Sequence, residues 1–252
     1  GIPGLVGATP IQNVGAYGQE VGDVVESLRV LDLENLEEKV FPAGECGFGY
    51  RSSVFRECPG RYLVLDVTYR LRPGGAPTLV YEELRSAVEV YGSSPGVADV
   101  REAVLRLRRS KSMVLDPDDP NRRSAGSFFV NPVVDCDRLT DVNRRAREAG
   151  VLSDQDHVPW FEIGAGRVKV PAGWLIEKAG FHKGLLRGPV GISSAHALAL
   201  IHHGGGTAAQ LVALAREIRD GVRQTFGITL RPEPVFLGFP TGNPLDGETF
   251  ER

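Results

Sequence analysis

The stretch Ser124-Ala125-Gly126-Ser127-Phe128-Phe129-Val130-Asn131-Pro132 sets a hydroxyl beside two bulky aromatics, then an amide and a proline. Gly126 allows either a close backbone approach or an unusual dihedral. Phe128 and Phe129 can exclude water on one side, while Ser127 and Asn131 remain as hydrogen-bonding groups. That combination suits a serine held in a dry cleft as a proton donor rather than as an acylated nucleophile. It suits a turn entering a buried strand equally well.

Other residues invite chemistry. In Cys46-Gly47-Phe48-Gly49-Tyr50-Arg51, glycines bracket an aromatic, and Arg51 is either a surface charge or a rigid fork for a carboxylate or phosphate. Glu233 lies between Pro232 and Pro234, which stiffen its backbone and fix the direction of its carboxylate. Arg108-Arg109-Ser110-Lys111-Ser112 reads first as a solvated helix end, with a phosphate-binding lysine as the functional alternative. No metal site is expected. Prolines spoil any EF-hand spacing in Asp116-Pro117-Asp118-Asp119-Pro120, and His202 and His203, as neighbours on a strand, would point to opposite faces.

These residues must be held by elements that the pattern outlines. The chain has 252 residues, enough for one large domain or two small ones. With 42% hydrophobic and 24% charged residues and a net charge of −3, it matches a soluble protein and not a phosphate-backbone binder, so no nucleic acid is expected. Three isolated cysteines fit a reducing, cytoplasmic setting, and no apolar run is long enough for membrane insertion. Residues 1–20 carry five glycines and two prolines, which suits a backbone packed closely on a strand or a flat ligand.

Residues 24–42 alternate as a hairpin, and 61–71 form the clearest strand, with Leu63, Leu65, Val67 and Tyr69 on one face. Helices are expected over 97–109, 137–149 and 172–179, with a hairpin at 158–163 and 167–171. Asp116 to Asn121 is a turn-rich break between two lobes. In the last third a strand at 198–201 leads to a helix running to about Phe226, with Leu211, Leu214, Ile218 and Val222 on its buried face. A strand follows over 228–237, and the strand–helix–strand order implies an α/β lobe.

Five longer motifs go further. GIPGLVGATPIQNVGAYG, CGFGYRSSVF, RSKSMVLDPDDPNRRSAGSFFVNPVV, AGWLIEKAGFHKG and LRPEPVFLG occur in this order. Together they resemble the UDP-N-acetylenolpyruvoylglucosamine reductase (MurB) family of peptidoglycan synthesis, across essentially the whole chain. Tyr81, in Leu-Val-Tyr-Glu-Glu, resembles the tyrosine-bearing segment of the type I branch.

The resemblance implies an α+β (α/β) fold, with part of a vanillyl-alcohol-oxidase-like FAD-binding domain and a separate α/β substrate-binding domain. It implies that residues 1–115 are the C-terminal part of the FAD-binding domain, 116–233 the substrate-binding domain, and 234–252 a return to the first. FAD is the implied cofactor, NADPH the hydride donor, UDP-N-acetylglucosamine enolpyruvate the substrate, and a monomer the assembly. Position by position, Ser127 matches the serine that protonates the enolate, Arg51 the arginine on the substrate carboxylate, and Glu233 the glutamate that shares this polarising role. Tyr50 precedes Arg51 as in the family motif. Tyr17, Tyr81, Lys111 and Asn131 match substrate-binding positions, with Lys111 a point charge for the diphosphate. Gly4, Gln12, Asn13, Gly15 and Ala16 match the loop along the flavin. His196 occupies a variable position, so the resemblance gives it no role.

There is one departure. Family members carry a segment before GIPG that holds the FAD pyrophosphate, and nothing in this sequence matches it. The expectation is therefore a fragment or truncated form that is either still a reductase or a redox-incompetent UDP-sugar-binding remnant. A serine hydrolase centred on Ser127 lacks a Gly-x-Ser-x-Gly elbow.

Overall fold

A computed structural model describes residues 4–239 and 243–246. The chain divides into two compact units, residues 1–109 and 110–252. Asp116 to Asn121 is a loop inside the second unit.

The first unit contains a small hairpin of β1 (Gly15–Ala16) and β2 (Gln19–Glu20), then β3 (Val25–Asp32), β4 (Glu37–Pro42), α1 (Val54–Glu57), β5 (Tyr62–Tyr69), α2 (Glu82–Val88) and α3 (Val97–Ser110). β4, β3 and β5 form an antiparallel sheet in that order. The expected hairpin is present, but the core-facing side of β5 differs from its sequence pattern. Opposite Arg29 and Val30, the partners on β5 are Asp66 and Val64, so Leu65 is an extra residue and the alternation changes phase there. Tyr62, Val64, Val67 and Tyr69 therefore pack on Val25, Leu28, Val30 and Phe55, while Leu63 and Leu65 are 52% and 40% exposed. A one-residue slip turns side chains to the other face, and the bulge imposes it on half a strand. Asp32 closes the sheet's end. Lys39 and Arg61 donate to its buried carboxylate, and the Lys39 hydrogen bond chiefly holds it down to about 2. A second cluster, Leu84, Val88 and Ala103 with Val100, Val104 and Leu107, joins α2 to α3.

The second unit contains β6 (Ser124–Ser127), β7 (Val133–Asp135), α4 (Cys136–Glu148), β8 (Phe161–Glu162), β9 (Arg167–Lys169), α5 (Ala172–Lys178), β10 (Leu186–Arg187), β11 (Val190–Ile192), β12 (Ala199–His202) and α6 (Ala208–Phe226). Two antiparallel sheets, β10-β11-β12-β6 and β7-β9-β8, share one core with α4, α5 and α6. α6 begins at a capping box of Thr207 and Gln210 and ends at Gly227, whose φ of 70° is left-handed. Its buried residues are Val212, Leu214, Ala215, Ile218, Val222 and Phe226, with Leu211 partly covered.

The strand expected after α6 does not form as one element. Only Phe129 and Pro232 make a bridge there, because Pro232 and Pro234 bring no N–H to a ladder. Every strand pairing among the described residues is antiparallel, so the fold is α+β, and the strand–helix–strand order of the last third does not make the expected α/β lobe. Of the tail expected to return to the first lobe, Phe236, Phe239 and Leu245 pack on the second unit's core, and Pro244 accepts from Arg216 of α6. The remainder of that tail, 240–242 and 247–252, lies outside the described residues, as do residues 1–3 of the glycine-rich loop.

No helix among the described residues is long and apolar enough to cross a membrane. Among the same residues no group of three or more His, Cys, Asp or Glu is placed to hold a metal ion.

Candidate active site

In the second unit the site is built around a bulge. Ser127 pairs with Ala199 and Ser124 with Ile201, so β6 uses one residue more than β12 between these contacts. Gly126 absorbs the extra residue at φ 81°, and its N–H donates to Ser124 Oγ at 3.2 Å. No atom lies within 4 Å of where a Cβ on Gly126 would sit, so the requirement for glycine is the dihedral and not a close approach. Gly126→Ala is expected to lose about 1–2 kcal/mol to backbone strain alone, read as a lower urea midpoint with an unchanged slope.

Beyond Ser127 the chain runs on between two neighbours. Phe128 N–H donates to Leu198 C=O at 2.7 Å, and Phe128 C=O accepts from Glu233 N–H at 2.8 Å. Glu233 carries the one N–H in Pro232-Glu233-Pro234, and this bond spends it, tying the Glu233 backbone to Phe128, the residue after Ser127. Phe128 and Phe129 are 3% and 1% exposed, with rings 5.1 Å apart edge to face, and both belong to the core of this unit, while Ser127 itself is partly buried. Asn131 is partly structural, since its Oδ1 accepts from Ala172 N–H at 2.8 Å and satisfies an open donor at the start of α5. Lys111 is half-buried in the turn after α3, beside Ser112.

In the first unit, residues far apart in sequence are knitted into one patch. An Arg51 Nη2 donates to Gly15 C=O at 3.1 Å, and the guanidinium lies 5.3 Å from the Tyr50 ring centre. Arg56 donates both to Gln12 Oε1 and to Arg51 C=O. Asn13 is buried and its side chain is internally committed, donating to Glu20 and to Gly49 C=O and accepting from Gly22 N–H. Tyr17 and Gly18 form the two-residue turn between β1 and β2 with φ of 54° and 85°, as a type I′ turn requires.

A tyrosine is an unusual choice there. Of the six non-glycine residues with positive φ among the described residues, three are Asn13, Tyr17 and Arg51. Strain of this kind concentrates at working sites. The Tyr17 ring meets Tyr81 edge to face at 5.7 Å. Burial raises both phenol pKa values; for Tyr17 the nearby Arg108, which also hydrogen-bonds it, pulls the other way.

The glycines of this loop have different reasons. A Cβ on Gly15 would stand 2.7 Å from Glu20 Cγ, so Gly15 serves the hairpin, with Ala16 following it in β1. Gly4, at φ 82°, and Gly7 face open space, and Leu5 and Val6 beside them are 81% and 56% exposed. An open backbone flanked by uncovered apolar side chains fits a flat, largely apolar ring such as a flavin.

Sequence reasoning left three contributors unassigned. Arg108 was read as a solvated helix end, yet it joins the tyrosine pair. Asn121, in the turn-rich break, is 6% exposed and holds Ser112 and Ser194. His196 approaches Ser127. None carries a local signal, because each contact is made by a segment distant in sequence.

Known proteins share this pattern. Residues 118–237 match the family described as UDP-N-acetylenolpyruvoylglucosamine reductase, C-terminal domain. A Thermobifida fusca protein named UDP-N-acetylenolpyruvoylglucosamine reductase is 52% identical over 240 residues, which cover 94% of this chain and 67% of that protein. A Nocardia farcinica protein of the same name is 50% identical, with 94% of this chain and 62% of that protein covered. The chain thus spans roughly two thirds or a little less of these curated relatives' length. The crystal structure of the Thermus caldophilus reductase (MurB) superposes with a TM-score of 0.54 at 23% identity, over 92% of this chain and 60% of that one, a likeness of fold. At 52% identity over 240 residues to a relative of which it covers 67%, this chain belongs to the UDP-N-acetylenolpyruvoylglucosamine reductase (MurB) family.

Proposed function

We propose that this chain carries out the FAD-dependent, NADPH-driven reduction of UDP-N-acetylglucosamine enolpyruvate to UDP-N-acetylmuramate, a step of peptidoglycan synthesis. The observation that supports this reading is the backbone bond from Glu233 to Phe128, which ties the Pro-Glu-Pro segment to the residue after Ser127, just beyond the Gly126 bulge. FAD, when bound, takes hydride from NADPH and supplies it to the alkene. The open backbone of Gly4 and Gly7 would lie along its ring, with Gln12, Asn13, Gly15 and Ala16 shaping the loop behind. Since the Asn13 side chain is spent internally, its contact would come from the main chain.

The roles of the remaining residues follow from the chemistry. Hydride addition to the enolpyruvyl group pushes negative charge into its carboxylate. Arg51 provides a planar cation for that charge, and Glu233 orients the same end of the substrate. Ser127 Oγ–H protonates the adjacent carbon, and the partial burial of Ser127 limits competition from bulk water. Lys111, Tyr50, Tyr81, Tyr17 and Asn131 would hold the nucleotide sugar, Lys111 at the diphosphate. On this reading residues 1–115 belong to the FAD-binding part, of vanillyl-alcohol-oxidase type, and 116–233 to the substrate-binding part. The enzyme would work in the cytoplasm as a monomer.

A visible spectrum of the purified chain with added FAD tests this. A retained flavin band that bleaches with NADPH and returns with the enolpyruvyl sugar is the expected outcome. If no flavin is retained and a UDP-sugar still quenches Trp160 or Trp174 fluorescence, the chain is a sugar-binding remnant instead.

A further inference from the structure

The turn that leads into β12 carries a side chain to the proposed proton donor. Ser127 pairs with Ala199, and His196 lies three residues before Ala199 in a tight turn, its C=O accepting from Ala199 N–H at 3.1 Å. His196 Nε2 comes to 3.5 Å from Ser127 Oγ. That is long for a finished hydrogen bond, but such contacts commonly close when substrate arrives. The turn is anchored from both sides. Ser193 is fully buried, donates through its N–H to Ala199 C=O at 2.8 Å, and accepts from Ala195 N–H through Oγ. Asn121 accepts from Ser194 N–H through Oδ1 at 3.1 Å and donates through Nδ2 to the hydroxyls of Ser194 and Ser112. A buried amide bonded on both of its ends is a rigid clamp.

We infer that His196 is a positioning residue that fixes the Ser127 hydroxyl by donating Nε2–H to its oxygen, with Asn121 clamping the turn that carries it. This rests on Ser127 being the proton donor. A serine hydroxyl rotates among three wells, and one hydrogen must serve the substrate. If Nε2 accepted that hydrogen, the hydroxyl would point away from the reacting carbon. When Nε2–H donates instead, it occupies an oxygen lone pair and leaves Oγ–H for the carbon. It also faces the oxygen as negative charge grows there. The opposite polarity, with Nε2 as base, would belong to a serine hydrolase. Ser127 ends a β-strand and is followed by extended chain, not by the helix of a nucleophile elbow.

The test combines two readouts on the purified chain with FAD. In 15N–1H correlation spectra of the imidazoles, His196 is expected to carry its proton on Nε2, and Ser127→Ala to shift that signal while Ser124→Ala leaves it. In the reoxidation of reduced flavin by the enolpyruvyl sugar, His196→Leu is expected to lower kcat about tenfold at unchanged KM, the size of one modest hydrogen bond. His196→Gln, which keeps an N–H at similar reach, should recover most of it. A proton on Nδ1 only, a signal indifferent to Ser127→Ala, or equal rates for His196→Leu and the parent would each overturn the assignment. If the parent chain does not reoxidise with the sugar, the reductase reading falls, and the imidazole spectra alone decide the pairing.

Discussion

Replacing Ser127 with alanine is expected to slow reoxidation of the reduced flavin by the enolpyruvyl sugar by roughly 10²–10⁴-fold, the usual contribution of a positioned general acid. Reduction of the flavin by NADPH should continue at its former rate, because that half-reaction places no proton on the sugar. The separation follows from the surroundings of Ser127. Ser127 is itself partly buried, and the two residues after it, Phe128 and Phe129, are anchored in the core, which limits the access of bulk water to the hydroxyl's place. Alanine also fits the local backbone, since the left-handed dihedral falls on Gly126 and not on Ser127, and the fold should be untouched. Stopped-flow absorbance of the two half-reactions, measured separately, is the check. An equal loss in both would remove the proton-donor role.

Arg51→Lys carries the second large effect, a fall in kcat/KM of roughly 10²–10³-fold, comparable to losing one preorganised donor at a developing charge. The charge is kept, so the loss tests geometry. One guanidinium nitrogen is held on Gly15 C=O at 3.1 Å while the planar group leans on Tyr50 at 5.3 Å. A guanidinium presents its donors in one rigid plane that matches a carboxylate. A lysine ammonium, a point charge on a flexible stem, cannot bond the Gly15 carbonyl and present a fork together. Both residues would meet the same strain at φ 53°, so the melting temperature should stay within a few degrees. Steady-state kinetics with the enolpyruvyl sugar, beside a thermal melt, decides it. Unchanged turnover would sink the assignment.

The sequence by itself determined the elements whose signals are local. α6 was legible because Thr207, Gln210 and Gly227 mark its ends and its apolar residues recur at helical spacing. The β3–β4 hairpin, α4 with Gly150 behind it, and α5 with Gly180 behind it were legible for the same reason. Arg51, Ser127 and Glu233 stand out as candidates because they sit in distinctive local strings. Whatever depends on a partner strand was not legible. The face of β5 changed at Leu65 because β3 sets the register, and no alternation within β5 reveals an extra residue. The strand expected at 228–237 dissolved because its prolines offer few donors to a neighbour. Gly126 could have served closeness or dihedral, and only its place opposite β12 shows that it serves the dihedral. Tertiary structure alone brought Tyr17 to Tyr81, Asn121 to Ser194, and His196 to Ser127. A hydrogen-bonding side chain reaches only a few ångströms, and which residues come within that reach is settled by strand pairing and helix packing.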